Sequence, residues 1–430
     1  MVLTWRPLVL LALLTPLVLW LGTWQGWAVV LGVVLAVVVA DVALAPSPRR
    51  LTVVRDGERS LRLGQQGEVR VGVTNPGRRT VRCRVRDAWV PSAGATGGVG
   101  RLVVPAGQRR RHTTVLHPTR RGDRRAGPVT VRVLGPLGFA GRQADHDAPW
   151  TVRVLPPFSS RRHLPSRLSR LRELDGRTSL LQRGQGTEFD SLREYVPGDD
   201  VRSIDWRGTA RSATVVVRTW RPERDRHVLV VLDSGRTSAA RVGDQPRLDL
   251  SMDAALLLAA LASRAGDRVD LLVADRRVRA DVRRVGAGEL LSAMVQAMAD
   301  VEPVLTETAH RSLVGEISAR VGQRSLVVLL TALDEATVGE GLLPALAPLL
   351  RRHRLVVASV SDPRTEELLA IRDTPADAYA AAAAQGELDR RERTAARLRR
   401  AGISVVSAPP DHFAPEVADH YLALRRTGQV

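Results

Sequence analysis

The sequence predicts a multi-domain chain: an N-terminal transmembrane helical hairpin, then an all-β sandwich, then a doubly wound α/β domain. Three observations carry this. Pro7 to Ala40 holds no charged residue and is dense in Leu and Val. After Pro46 the chain breaks into short Val- and Thr-rich runs separated by Gly, Pro and Asn. From His227 onward, continuous apolar runs alternate with helix-like stretches.

The uncharged run is too long for one span. As a single helix its 34 residues would extend about 51 Å at ~1.5 Å per residue, against a hydrocarbon core of about 30 Å. The stretch GTWQG, bracketed by Trp20, Trp24 and Trp27, reads as an interfacial turn between helices of about residues 4 to 21 and 26 to 44. Arg6 lies before the first apolar span and Arg49, Arg50 and Arg55 follow the second. The positive-inside rule therefore expects a multi-pass membrane protein of two spans with both termini cytoplasmic. A cleaved signal peptide is the competing reading, opposed by the second apolar run that follows at once.

Residues 46–157 read as the sandwich. Runs such as EVRVGVTN, TVRCRVRDAWV and GPVTVRVL recur at about ten-residue spacing and alternate as strands with one wet face do. The wet positions are mostly arginine, among them Arg70, Arg82, Arg84, Arg86, Arg132 and Arg153. A solvated face is the simplest account, and contact with anionic lipid is the second. A basic connector, residues 158–184, follows. Its leucines at 168, 171 and 174 predict a short amphipathic helix.

Residues 227–430 read as the α/β domain. HVLVVLD and RSLVVLLT have the uninterrupted apolar character of parallel strands covered on both faces, and helical stretches lie between the strands. Ligands collect beyond the carboxyl ends of such strands. This directs attention to DSGRTS (233–238), LLTALDE (329–335) and VSDPR (360–364).

Composition narrows the chemistry. The chain carries net charge +19, and every one of its 64 basic residues is arginine. A basic body suits an anionic surface, but no helix-turn-helix or aromatic-basic motif points to specific nucleic-acid binding. The single cysteine, Cys83, excludes an internal disulfide framework and a Cys-based zinc site. The nine histidines are scattered, and no Gly-Lys-Ser/Thr loop is present for nucleotide.

Residues 185–226 contain the stretch GTEFDSLREYVPGDDVRSIDWRGTAR, six carboxylates among four arginines. With the following VVVRTWRPERDRHVLVVLD, this run resembles the signature of the bacterial membrane proteins called domain of unknown function family 58. The resemblance implies a C-terminal domain like the A-domain of von Willebrand factor, a membrane location, and association with a MoxR-type AAA+ ATPase. It implies no reaction.

Von Willebrand A-type domains hold a divalent cation such as Mg²⁺ through an Asp-x-Ser-x-Ser pattern, with a Thr and a second Asp on other loops. A hard cation needs such oxygens. This sequence departs from the pattern. Asp233 is present, but Gly235 and Thr237 stand at the hydroxyl positions, Arg236 lies between them, and Ala332 follows Thr331 where a second carboxylate is expected. Asp334 comes two residues too late. The expectation is a degenerate site and no cofactor. Asp233, Thr237 and Thr331 are the ligands a Mg²⁺ ion would use.

For the acidic stretch three readings stand. The first is an ion-pair lattice locking it to the α/β domain, with Arg193, Arg202, Arg207 and Arg211 pairing the acids and Tyr195 and Trp206 buried. The second is a docking surface for a partner, formed by Glu188, Arg193, Tyr195, Gly198, Asp199, Asp200, Arg202, Asp205, Trp206 and Arg211, with Arg236 as a further contact. The third is catalysis. The function expected is that of a membrane-anchored, cytoplasm-facing interaction or scaffold protein working with a MoxR-type ATPase in envelope or protein-complex maturation. The alternative is a metal-dependent hydrolase using the acids between 188 and 205.

Overall fold

The computed structural model describes residues 2–21, 24–181, 188–212, 214–221, 226–322, 324–335 and 337–429. Side chains are described for these except at 17, 18, 21, 175–181, 188–190, 219–221 and 340. The chain divides into two compact units, Met1–Leu155 and Pro156–Val430.

In the first unit, helices α1 (Arg6–Leu21) and α2 (Trp24–Leu44) precede the strands. The apolar stretch that opens with α2 is long and apolar enough to cross a membrane, by length and composition, and the apolar part of α1 is shorter. Leu10, Leu11 and Leu14 of α1 pack on Val30 and Val34 of α2.

Two sheets follow. One joins β1 (Val2–Leu3), β3 (Ser60–Arg62), β5 (Val81–Trp89), β7 (Val99–Val104), β9 (Gly122–Leu134), β10 (Ala140–His146) and β11 (Thr151–Leu155). The other, in the order β2-β4-β8-β6, joins β2 (Thr52–Gly57), β4 (Gly67–Thr74), β6 (Ala95–Thr96) and β8 (Arg109–Leu116). Their inner faces supply one apolar cluster, with Val71 and Val73 of β4 against Val81, Cys83 and Val85 of β5 and Val129, Val131 and Val133 of β9. Period-2 alternation produces it: β5 reads buried and exposed in turn from Val81 to Asp87, with Arg82, Arg84 and Arg86 outside. Inside lies one ion pair, Arg55–Asp87 at 2.7 Å. Both side chains are fully buried, and Trp89 and Thr114 also donate to Asp87. Removing one partner alone would leave a buried charge unpaired.

The second unit opens with α3 (Leu164–Leu181), which buries Leu171 and pairs Arg167 with Asp419 at 2.8 Å. Then comes a hairpin of β12 (Glu188–Glu194) and β13 (Val216–Arg221), with the one-turn α4 (Trp206–Thr209) between them. A six-stranded sheet follows, in the order β18-β17-β14-β19-β20-β21, made from β14 (His227–Asp233), β17 (Arg268–Ala274), β18 (Val278–Val282), β19 (Ser325–Leu330), β20 (Arg354–Val360) and β21 (Ser404–Ala408). All pairings are parallel except β17–β18. A small pair, β15 (Arg241–Val242) and β16 (Gln245–Pro246), sits before the first helix of this region.

Helices connect the strands: α5 (Arg247–Arg264), α6 (Leu290–Ala299), α7 (His310–Ser318), α8 (Leu343–Leu350), α9 (Pro363–Ala370), α10 (Pro375–Arg400) and α11 (Pro410–Arg426). β14 is buried at all seven positions; its apolar run Val228 to Leu232 suits a central parallel strand, and the flanking His227 and Asp233 are hydrogen-bonded where they are buried. A Thr374–Asp377 capping box starts α10. The chain winds outward in both directions from β14, so strand order reverses between β14 and β19.

Candidate functional site

Ligands of open α/β sheets gather where the strand order reverses, and here Asp233 ends β14 beside Thr331, the residue after β19. Asp233 is 2% exposed. Its Oδ2 accepts from Thr331 Oγ1 at 2.6 Å, and its Oδ1 accepts from Gly235 N at 2.8 Å and from the Thr308 hydroxyl. Both carboxylate oxygens are thus engaged by the protein itself.

Thr308 explains the missing hydroxyl at position 235. A Cβ on Gly235 would collide with the Thr308 Oγ1, so the space a Ser side chain would need is filled by a hydroxyl from a distant loop. Thr308 was invisible in sequence, since nothing marks a lone Thr 75 residues away as a neighbour of Asp233. Ser238 bonds the Asp233 carbonyl at 2.6 Å, and Ser234 donates to the buried Asp275 at 3.2 Å. Thr237 instead offers its carbonyl to Arg247 at 2.9 Å. Asp334 accepts from Thr337 at 2.8 Å, steadying its own turn. Arg236 is exposed and reaches Glu307 at 3.5 Å. His310, at the start of α7, has its Nε2 buried without a hydrogen bond; burial pushes its pKa down, against the opposing pull of Asp233 and Glu307.

The acidic stretch builds a different kind of surface. Arg193 forks onto Asp199 at 2.5 and 2.8 Å, and Asp199 also accepts from Val196 N at 3.0 Å. This closes a turn in which Gly198 adopts φ +110°, a conformation that suits glycine. The Arg193 contact, then the Val196 amide, hold the Asp199 carboxyl below its usual range. Asp200 accepts from Arg202 N and starts a short 3-10 turn. Asp205 caps α4 through Arg207 N and Gly208 N and pairs with Arg218 at 2.8 Å; Arg218 first, then the Gly208 amide, lower its pKa. Tyr195 N bonds Val215 O, and Ile204 bridges Val217. The backbone of Glu188 pairs opposite Arg221, while the side chains of Glu188 and Asp190 lie outside the described residues.

The lattice expectation needs correction here. Arg202, Arg207 and Arg211 are exposed and have no carboxylate partner among the described residues, and Trp206 is 69% exposed. The reason is local: Asp200 and Asp205 each commit one oxygen to nearby backbone amides as caps, as Asp does at helix starts, and the second Asp205 oxygen goes to Arg218 of the same hairpin. Leu192, Val196, Val201 and Val215 are exposed on the same hairpin.

Comparison with known proteins finds a family similarity over this region. Residues 191–402 match the family described as protein of unknown function DUF58. The DUF58 match, just under half of the chain, begins inside β12 and runs past the end of α10. Uncharacterized proteins of Mycobacterium tuberculosis and Mycobacterium bovis are each 34% identical over 92 residues, 21% of this chain and 29% of theirs. The chain thus covers under a third of the length of these relatives.

Solved structures resemble the chain only distantly. Proximal thread matrix protein 1 from the mussel byssus matches at TM-score 0.28 and 11% identity, covering 47% of each chain. The CARDB domain of a Pyrococcus furiosus protein matches at 0.19 and 18%, covering 26% of this chain and 90% of its own. Likenesses this slight bear on neither fold nor function.

Proposed function

We propose that this protein is a membrane-anchored, cytoplasm-facing interaction protein whose β12–β13 hairpin docks a partner, with a MoxR-type AAA+ ATPase as the partner and maturation of envelope or protein complexes as the setting. In this reading α1 and α2 both span the bilayer, both termini are cytoplasmic, and the six-stranded domain is of the von Willebrand A type with its cation position closed. The observation that carries it is the exposure of Trp206 together with Leu192, Val196, Val201 and Val215 on one hairpin. An exposed aromatic on a hairpin that also exposes Val and Leu, with arginines Arg202, Arg207 and Arg211 free of carboxylates among the described residues, has the composition of an interface centre. The hydrolase alternative has less support, because Asp199, Asp200 and Asp205 are each tied to separate backbone amides, and among the described residues no three acids or histidines gather where they could hold a metal.

The intact protein in nanodiscs should bind the purified MoxR-type ATPase of its own source. Trp206→Ala is expected to weaken that complex by about 2 kcal/mol, the scale of a buried aromatic anchor, while shifting the protein's own stability by under ~0.5 kcal/mol, as an exposed position should. Arg236→Glu should weaken binding as well. An ATPase that does not bind, or that binds the Trp206→Ala protein equally well, would sink the proposal. Reporter fusions test the topology: activity after Val430 only in the cytoplasm, and near Gln25 only outside.

A further inference from the structure

We infer that one end of the β-sandwich is itself a lipid-binding surface: an apolar rim inserts into the bilayer interface, and exposed arginines beside it take the phosphates of anionic lipid. This rests on the reading of α1 and α2 as membrane spans.

The loop of residues 135–139, between β9 and β10, is clamped where α1 begins and α2 ends. Asp41, fully buried near the end of α2, accepts from Leu137 N, Phe139 N and Ala140 N at 2.8, 2.7 and 2.9 Å. Ahead of α1, Val2 and Leu3 extend the sheet along β10, Thr4 N bonds Phe139 O at 3.0 Å, and Arg6 donates to Leu137 O at 2.9 Å. Gly135 leaves room for the Asp41 carboxylate, since a Cβ there would collide with it. Asp41 thus has a positioning task that a purely apolar helix could not perform.

The side chains around this clamp point to lipid. Leu137 is 50% exposed, and Leu3, Trp5, Leu44 and Leu134 are exposed around it. An apolar rim with Trp, continuous with an apolar helix, is what the bilayer interface accepts.

The strand registers bring further loops to the same end. Leu134 lies opposite Gly141, Cys83 opposite Val133 and Val81 opposite Val104 in one sheet; Thr74 lies opposite both Thr52 and Arg109 in the other. Leu51, Val73, Val81, Val104 and Val133 meet in the core between the sheets, so the two sheet ends coincide. The turn after β4, the start of β8 and the segment after α2 therefore share this end, and they bring Arg78, Arg79, Arg110, Arg49 and Arg50. All five are exposed with no carboxylate partner among the described residues. Cationic side chains at the membrane surface are drawn to anionic lipid.

The test uses the full-length protein in nanodiscs with a fluorescent label on single introduced cysteines. Cys83 is buried and its thiol is pushed up to about 11 by that burial, so it stays unlabelled. Val33→Cys reports the span, Leu137→Cys the rim, and Gln66→Cys, at the opposite end of the sandwich, solvent. With phosphatidylglycerol present and lipids brominated along their chains, labels at 33 and 137 should be quenched and that at 66 should not. Quenching at 137 should be lost in phosphatidylcholine alone and in the Arg78→Gln/Arg79→Gln protein. Quenching at 33 without quenching at 137 overturns the lipid surface and leaves the spans standing. Equal quenching at 137 in both lipids overturns the role of the arginines. No quenching at 33 overturns the span reading, and the lipid surface with it.

Discussion

Asp233 and the pair Asp199 and Asp205 lie in the same matched region, residues 191–402, and use their carboxylates in opposite ways. Asp233 is buried and satisfied by hydroxyls and an amide drawn from three segments of chain. Asp199 and Asp205 take nearby backbone amides and one arginine each from the same hairpin. A buried acid of the first kind fixes tertiary structure, because every donor aimed at it loses its partner if it goes. Acids of the second kind shape a surface, and their loss is felt locally.

The largest effect expected follows from that contrast. Asp233→Ala would strand the Thr331 and Thr308 hydroxyls and the Gly235 amide, and should destabilise the α/β sheet by about 3 kcal/mol or more. Hydrogen exchange at β14 and β19 in the intact protein reads this directly. A loss under ~1 kcal/mol would mean that water replaces the carboxylate, and the contrast would break.

Acid sharpens the comparison at the hairpin. The pKa values of Asp199 and Asp205 are depressed in the folded state, so their contribution is complete above the unfolded value of about 3.9 and fades as pH falls through the lower folded values. Exchange protection over residues 196–208 should therefore hold down to about pH 4 and fall only below it. Loss already near pH 5–6 would show that these contacts are not what holds the turn.

The smallest expected effect is none. With both Asp233 oxygens occupied, millimolar Mg²⁺ or EDTA should leave the thermal midpoint unchanged, because only a ligand preferring the folded state moves it. A rise with Mg²⁺ would show that Thr308 and Thr331 release Asp233 to a cation, and the site would join the open, ligand-exchanging class.

Some residues missed by sequence reading left a trace there. Asp41 was the first charge after the apolar run, yet its three amide partners lie about a hundred residues away and no local pattern names them. Thr308 left no trace at all. Trp206 was legible as important but was left open between a buried lattice and a docking surface, because an aromatic among charges reads alike whether the acids pair with distant arginines or cap their own turn.

The sequence by itself determined the multi-domain order: an apolar start, then alternating strands, then buried strands between helices. Periodicity and composition are properties of the local chain, and burial of the apolar positions follows from them. It also determined that glycine, with no hydroxyl, stands two residues after Asp233. Tertiary structure alone decided what fills that gap, which acids stay buried, and which loops of the sandwich lie beside the helix ends. Each depends on groups far apart in sequence meeting within hydrogen-bonding distance, a geometry set by strand order and register.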